Sequence, residues 1–79
     1  MVKHPGEILM EQVLVPNGTS IRHAAGQLGM SAETLGLVIA GTQPVTPALA
    51  HGLAREFAFS AAWWLRLQRA WDEEQLLAA

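Results

Sequence analysis

Cysteine is absent from the chain, and with it go disulfide staples, thiolate nucleophiles and thiolate metal ligands. Positive charge is scarce: five Lys and Arg stand against seven Asp and Glu, for a formal net charge of −2. A nucleic-acid-binding surface ordinarily carries a basic face, so this balance argues against strong phosphate affinity, although a local patch counts for more than the sum. No run approaches the roughly 18 uninterrupted apolar residues of a membrane helix, so no membrane partner is expected. Glu7 and Glu11 interrupt the opening MVKHPGEILMEQ, which denies it the apolar core of a signal peptide and makes a cytoplasmic location the expectation. With no secretion signal, Asn17-Gly18-Thr19 reads as a turn rather than a glycosylation acceptor.

Catalytic constellations are missing as well. His4, His23 and His51 are scattered without metal-like spacing, and His4 beside Pro5 reads as a helix-start residue rather than a ligand. Ser31 lies in no nucleophile elbow, the carboxylates form no pocket-like pair, and the seven glycines mark turns or interrupt helices instead of cradling phosphate. The expectation is a protein that is not an enzyme, with no metal and no cofactor. Period-2 alternation, internal repeats and low-complexity runs are absent too.

What remains is apolar and helical. Apolar residues make up 51% of the 79 positions, enough for a packed core in one small domain spanning 1–79. A staple-free chain of this size commonly gains stability from helix packing or from a partner subunit. The segment HPGEILMEQVLVP has Pro5 and Glu7 in its first turn, an apolar side of Ile8, Leu9, Val13 and Leu14, and Pro16 as its expected stop. Ser20 suits a cap for a second helix, Ile21 to Leu28, whose Ile21, Ala24, Ala25 and Leu28 fall at i, i+3, i+4 and i+7. Gly29 suits the left-handed position that ends it, and Ser31 caps a third helix with Leu35, Val38 and Ile39 on one face. Gly36 inside that helix costs about 1 kcal/mol against Ala. Thr46-Pro47 starts a fourth helix carrying Leu49, Leu53 and Phe57, and Ser60 caps a fifth.

Helices two and three have the rhythm of a helix-turn-helix. Ala25 supplies the small residue where two crossing helices approach, Gly29 the corner, and Leu28, Met30, Leu35 and Val38 a shared core. The fuller set of marks is HPGEIL at His4 to Leu9, GTS at Gly18 to Ser20, LGMS at Leu28 to Ser31, VTP at Val45 to Pro47, and SAAWWLRLQ at Ser60 to Gln68. In that order, and without evident gaps from His4 to about Asp72, the chain resembles the HigA/VapI antitoxins, small members of the Xre-like helix-turn-helix group. The resemblance implies an all-α, five-helix, lambda-repressor-like fold, with the helix-turn-helix at about residues 20–40 and a C-terminal packing and dimerisation helix at about 60–77. It implies an antitoxin that binds operator DNA as a homodimer, neutralises a RelE-like, HigB-type ribonuclease toxin and autoregulates its operon.

Departures from the family pattern fall on the DNA-facing positions. Ser20 is kept as a cap and phosphate contact, but the glutamine typical of the next position is Ile21, which leaves Arg22 as the best phosphate contact and His23 as a weaker donor. Around the N-terminus of helix three, Ser31, Ala32, Glu33, Thr34, Gly36 and Leu37 face the bases, and among the last five only Thr34 and Glu33 can hydrogen-bond one, Glu33 to a donor such as cytosine N4. Where relatives carry Asn or Arg before Gly41 and basic residues after it, this chain has Ala40, Thr42 and Gln43. From Ser20 to Gly41 the formally charged residues are Arg22 and Glu33 alone, so weak, shallowly salt-dependent DNA affinity is expected. The competing expectation is a helix-turn-helix frame turned to protein contact, with Ile21 and Leu37 exposed on that face.

Trp63, Trp64 and Trp71 share the fifth helix; each can bury about 150–250 Å², worth up to ~4–6 kcal/mol. Trp63 and Trp64 point about 100° apart. Trp64 and Leu67 are expected to pack inward, and Trp63, Leu67 and Trp71 are the candidates for a dimer interface. Arg66 and Arg69 read as solvated or paired with Asp72, Glu73 and Glu74.

Overall fold

Four hydroxyl side chains punctuate the chain, and each closes a helix start. A computed structural model describes residues 1–78, and among them the regular structure is helical throughout. The first rod, α1, runs through Pro5–Leu9, a wider π-helical turn at Met10–Leu14, and Val15–Asn17. α2 is Ile21–Leu28, α3 is Ala32–Ile39, α4 is Pro47–Glu56 and α5 is Ala61–Ala78. Ser20 Oγ accepts from His23 N at 3.0 Å, Ser31 Oγ from Thr34 N at 3.0 Å, Thr46 Oγ1 from Leu49 N at 3.2 Å, and Ser60 Oγ from Trp63 N at 3.0 Å. Each bond satisfies an N–H that the first helical turn would otherwise leave unpaired. The five-helix, all-α expectation is met.

Pro16 does not stop α1, contrary to the sequence expectation. A helix-interior proline loses one hydrogen bond and crowds the carbonyl four residues back. Here the turn ahead of it is widened, with Val15 N–H bonding Met10 O, and that gives the carbonyl room. Termination falls instead to Gly18, at φ 65°, with Thr19 N–H returning to Leu14 O at 2.9 Å.

Every helix contributes to the core: Leu9 and Leu14 from α1, Ala24 from α2, Leu35 from α3, Ala50 and Leu53 from α4 and Trp64 from α5 are all fully buried. Ile21 and Leu28 are only partly buried, so the α2 stripe is centred on Ala24 and Ala25. Trp64 keeps its indole N–H satisfied by donating to Ala58 O at 2.9 Å. Phe59 takes a left-handed backbone, φ 68°, and lays its ring on Trp63 with centroids 3.9 Å apart. A bulky residue there costs about 1–2 kcal/mol, which stacking of this kind offsets by about 0.5–1.5 kcal/mol.

α1 lies across the back of α3, and the contact depends on Gly6. A Cβ on Gly6 would sit 1.9 Å from Val38 O and 2.6 Å from Val38 C. The two helix backbones therefore touch where any side chain would separate them.

Candidate nucleic-acid interface

The α2–α3 corner is built by residues already accounted for. Gly29 at φ 72° reverses the chain, Met30 N–H bonds Ala25 O at 3.0 Å, and Ala24 and Ala25 are buried in the angle between the helices. α3 is thereby held with Leu35 and Val38 inward and its opposite side in solvent. This is the geometry in which a second helix is presented to a major groove.

Ser20, Arg22 and His23 are exposed at the start of α2. Ser20 Oγ is used as an acceptor by the cap and keeps its own hydroxyl proton to donate. Arg22 has no ion-pair partner among the described residues, whereas Lys3 is tied to Glu11 at 2.7 Å and Arg55 to Glu56 at 2.8 Å. Arg66 and Arg69 are also exposed without such a partner, so the solvated alternative holds for them, and Asp72 instead accepts from Gln68 Nε2 at 2.9 Å.

Glu33, Thr34 and Leu37 are exposed on α3, with Ser31 at its cap and Thr42 and Gln43 exposed just beyond it. Ala32 departs from the expectation that it faces outward: it is half-buried and packs against the core, because the capped first turn rotates it toward the body. Gly36 is half-buried, yet a Cβ there would meet nothing within 4 Å. Two of the hydroxyls on this side are engaged within the chain: Ser31 Oγ donates to Thr34 Oγ1 at 2.8 Å, and Thr42 Oγ1 donates to Leu37 O at 3.0 Å. Of the two apolar residues expected to be exposed, Leu37 is open, with 41% of its surface accessible, while Ile21 is partly buried against the core.

Sequence reasoning put His4 at a helix start, as observed, but missed Gln68 and the long-range contacts by which both residues hold this side in place. Gln68 is buried, and its Oε1 accepts from the buried Val45 N at 2.8 Å, fixing the segment that leaves α3. His4 is 5% exposed and caps α1 through Nδ1, which accepts from Gly6 N at 2.9 Å. Its ring meets Trp71 edge-on at 5.2 Å and lies 3.7 Å from where a Cβ of Gly41 would be, so one imidazole links α1, the end of α3 and α5. Burial pushes this imidazole below its ordinary pKa, with Asp72 and Glu7 opposing the shift. The signal for both residues was present in HPGEIL and SAAWWLRLQ, but only as motif letters without partners. Trp63, Leu67 and Trp71 are each half-buried, Trp63 against Phe59 and Trp71 against His4.

No protein-family model matches the chain. It is 36% identical over 69 residues to the curated virulence-associated protein I of Dichelobacter nodosus; that match takes in 87% of this chain and 64% of the relative, whose length the chain therefore spans by less than two thirds. Among solved structures, the Pseudomonas aeruginosa antitoxin HigA with higBA promoter superposes with a TM-score of 0.93 at 29% identity, covering 99% of this chain and 85% of that one. An addiction module antidote protein of a HigA family from Coxiella burnetii gives 0.90 at 30% identity, covering 99% and 86%.

Proposed function

The chain belongs to the HigA family of antitoxins, and from that premise we propose that it is a DNA-binding antitoxin that represses its own operon as a homodimer and neutralises a RelE-like, HigB-type ribonuclease toxin. The observation that carries the DNA arm is the pairing of a helix-turn-helix capped at both helix starts with a fold that, across 99% of this chain, matches an antitoxin solved with its promoter. Ser20, Arg22 and His23 meet phosphates; Glu33, Thr34, Gly36 and Leu37 face base edges, with Ser31, Thr42 and Gln43 flanking them. Ala32 serves the frame of the corner. A two-fold dimer would set its α3 helices about 34–36 Å apart, one turn of DNA. The half-open sides of Trp63, Leu67 and Trp71 on α5 support a contact between copies there.

With Arg22 as the main cation, two phosphate contacts per dimer give a salt slope of only about −2. Exposed Leu37 favours a second reading, a helix-turn-helix frame used for protein contact with specific DNA binding weakened or lost. A transcriptional reporter driven by the region upstream of the gene separates the two. Expression of the chain should lower its output, and Arg22→Ala should restore it; output indifferent to both proteins would sink the repressor reading. Sedimentation at micromolar concentration should give a dimer, and a strict monomer would remove the two-fold arrangement. Added to a RelE-like nuclease encoded beside it, the chain should abolish RNA cleavage, and undiminished cleavage would remove the toxin arm.

A further inference from the structure

On the open side of α3 the exposed carboxylate of Glu33 is joined by a large side chain that forms no hydrogen bond. Leu37 stands in solvent at 41% exposure, one turn beyond Glu33 on the same face. Beside it Gly36 contributes no side chain, and the space its Cβ would occupy is empty to 4 Å, so the helix backbone can approach a surface closely there. Of the hydroxyls beside it, Thr42 Oγ1 donates to the carbonyl of Leu37 itself, and Thr34 Oγ1, which accepts from Ser31 Oγ, keeps only its own proton to offer a base. What faces a groove beside Glu33 and Thr34 is therefore a branched apolar side chain set in a shallow, small-residue surround.

A major groove offers such a side chain one favourable partner. Guanine shows N7 and O6, adenine N7 and its amino group, cytosine its amino group; pressing leucine on any of these strips water from a polar atom and returns no bond. Thymine alone presents a methyl group. We propose that Leu37 reads thymine C5 methyl groups, so that the operator carries A·T pairs opposite the middle of α3 and is specified there by apolar contact. Glu33, one turn earlier, accepts from a cytosine or adenine amino group and rejects guanine, whose major-groove atoms are all acceptors. This inference rests on the operator-binding reading above and names the chemistry of that same surface.

The test uses the duplex from upstream of the gene, prepared once with thymine and once with uracil, which removes the methyl groups and leaves every hydrogen-bonding edge intact. Wild-type protein should bind the uracil duplex more weakly by about fourfold for each methyl it contacts. That ratio should be the same at low and high salt, since no counterion is involved. In Leu37→Ala, an exposed position whose helicity circular dichroism can verify, the thymine–uracil difference should vanish. Equal wild-type affinity for the two duplexes, with preference over an unrelated sequence intact, would overturn this inference and leave operator binding standing. A thymine–uracil difference that persists undiminished in Leu37→Ala would also overturn it, because the methyls would then act through duplex shape. Failure to prefer the upstream duplex over an unrelated one would overturn the operator reading and this inference together.

Discussion

Exchanging glycine for alanine at two positions should move stability in opposite directions, and the structure sets both sizes. At Gly6 the new Cβ would lie 1.9 Å from Val38 O, where ordinary contact begins at 3.4 Å. Both partners are helix backbone, so α1 and α3 must separate by about 1.5 Å, which unseats Leu9 and Leu35 from the fully buried core. Overpacking of flexible side chains costs about 1–3 kcal/mol; a clash with a carbonyl that cannot rotate away belongs at or above the top of that range. A chain of this length has about 4–12 kcal/mol in total, so Gly6→Ala should remove a quarter or more of it and lower Tm by about 12–24 °C. Gly36→Ala meets nothing within 4 Å and lies inside α3, so it should gain about 0.5–1 kcal/mol from helix propensity alone. Urea unfolding followed by tryptophan fluorescence reads both variants against wild type, with Trp64 reporting from the core. A Gly6→Ala midpoint within about 0.5 kcal/mol of wild type would refute the close approach of α1 and α3.

Three further outcomes follow from the geometry. Gln68→Leu leaves the buried Val45 N–H without an acceptor and should cost about 1–3 kcal/mol in the same urea assay. His4 binds its proton more weakly when folded than at its ordinary pKa of 6.5, so the unfolded chain takes up the proton first and stability should fall as pH drops below about 6.5. His4→Asn keeps a cap acceptor and should flatten that part of the profile, which urea midpoints at several pH values would reveal. Arg22→Ala should leave stability within about 0.5 kcal/mol of wild type while making the salt slope of DNA binding shallower by about one unit per protomer, measured by anisotropy across salt.

Helix starts were legible because their cause is local: Ser20, Ser31, Thr46 and Ser60 each cap from within three residues. The corner was legible for the same reason, Gly29 needing only its own backbone to reverse the chain. Pro16 misled because its effect depends on the turn preceding it, and a π turn leaves no plain mark in the letters. Gly6, Gln68 and His4 act on α3, on the segment after it and on Trp71, partners up to 67 residues away. Nothing in a spacing pattern says where those partners come to lie; only packing does. Helix position alone puts Ala32 outward, yet its small side chain is half-buried against the core, a contact no spacing pattern announces. Phe59 was not singled out at all, since a left-handed aromatic is held by its neighbours' rings rather than by its own preference.

Operator recognition is the claim on which the rest depends, and fluorescence anisotropy of the chain on labelled duplexes meets it most directly. The upstream duplex and an unrelated one of equal length would be titrated side by side at several salt concentrations. Tighter binding to the upstream duplex by about tenfold or more, with the shallow slope that one arginine per protomer allows, is the expected result. Equal and feeble binding to both would contradict the account and leave the helix-turn-helix as a surface for another protein.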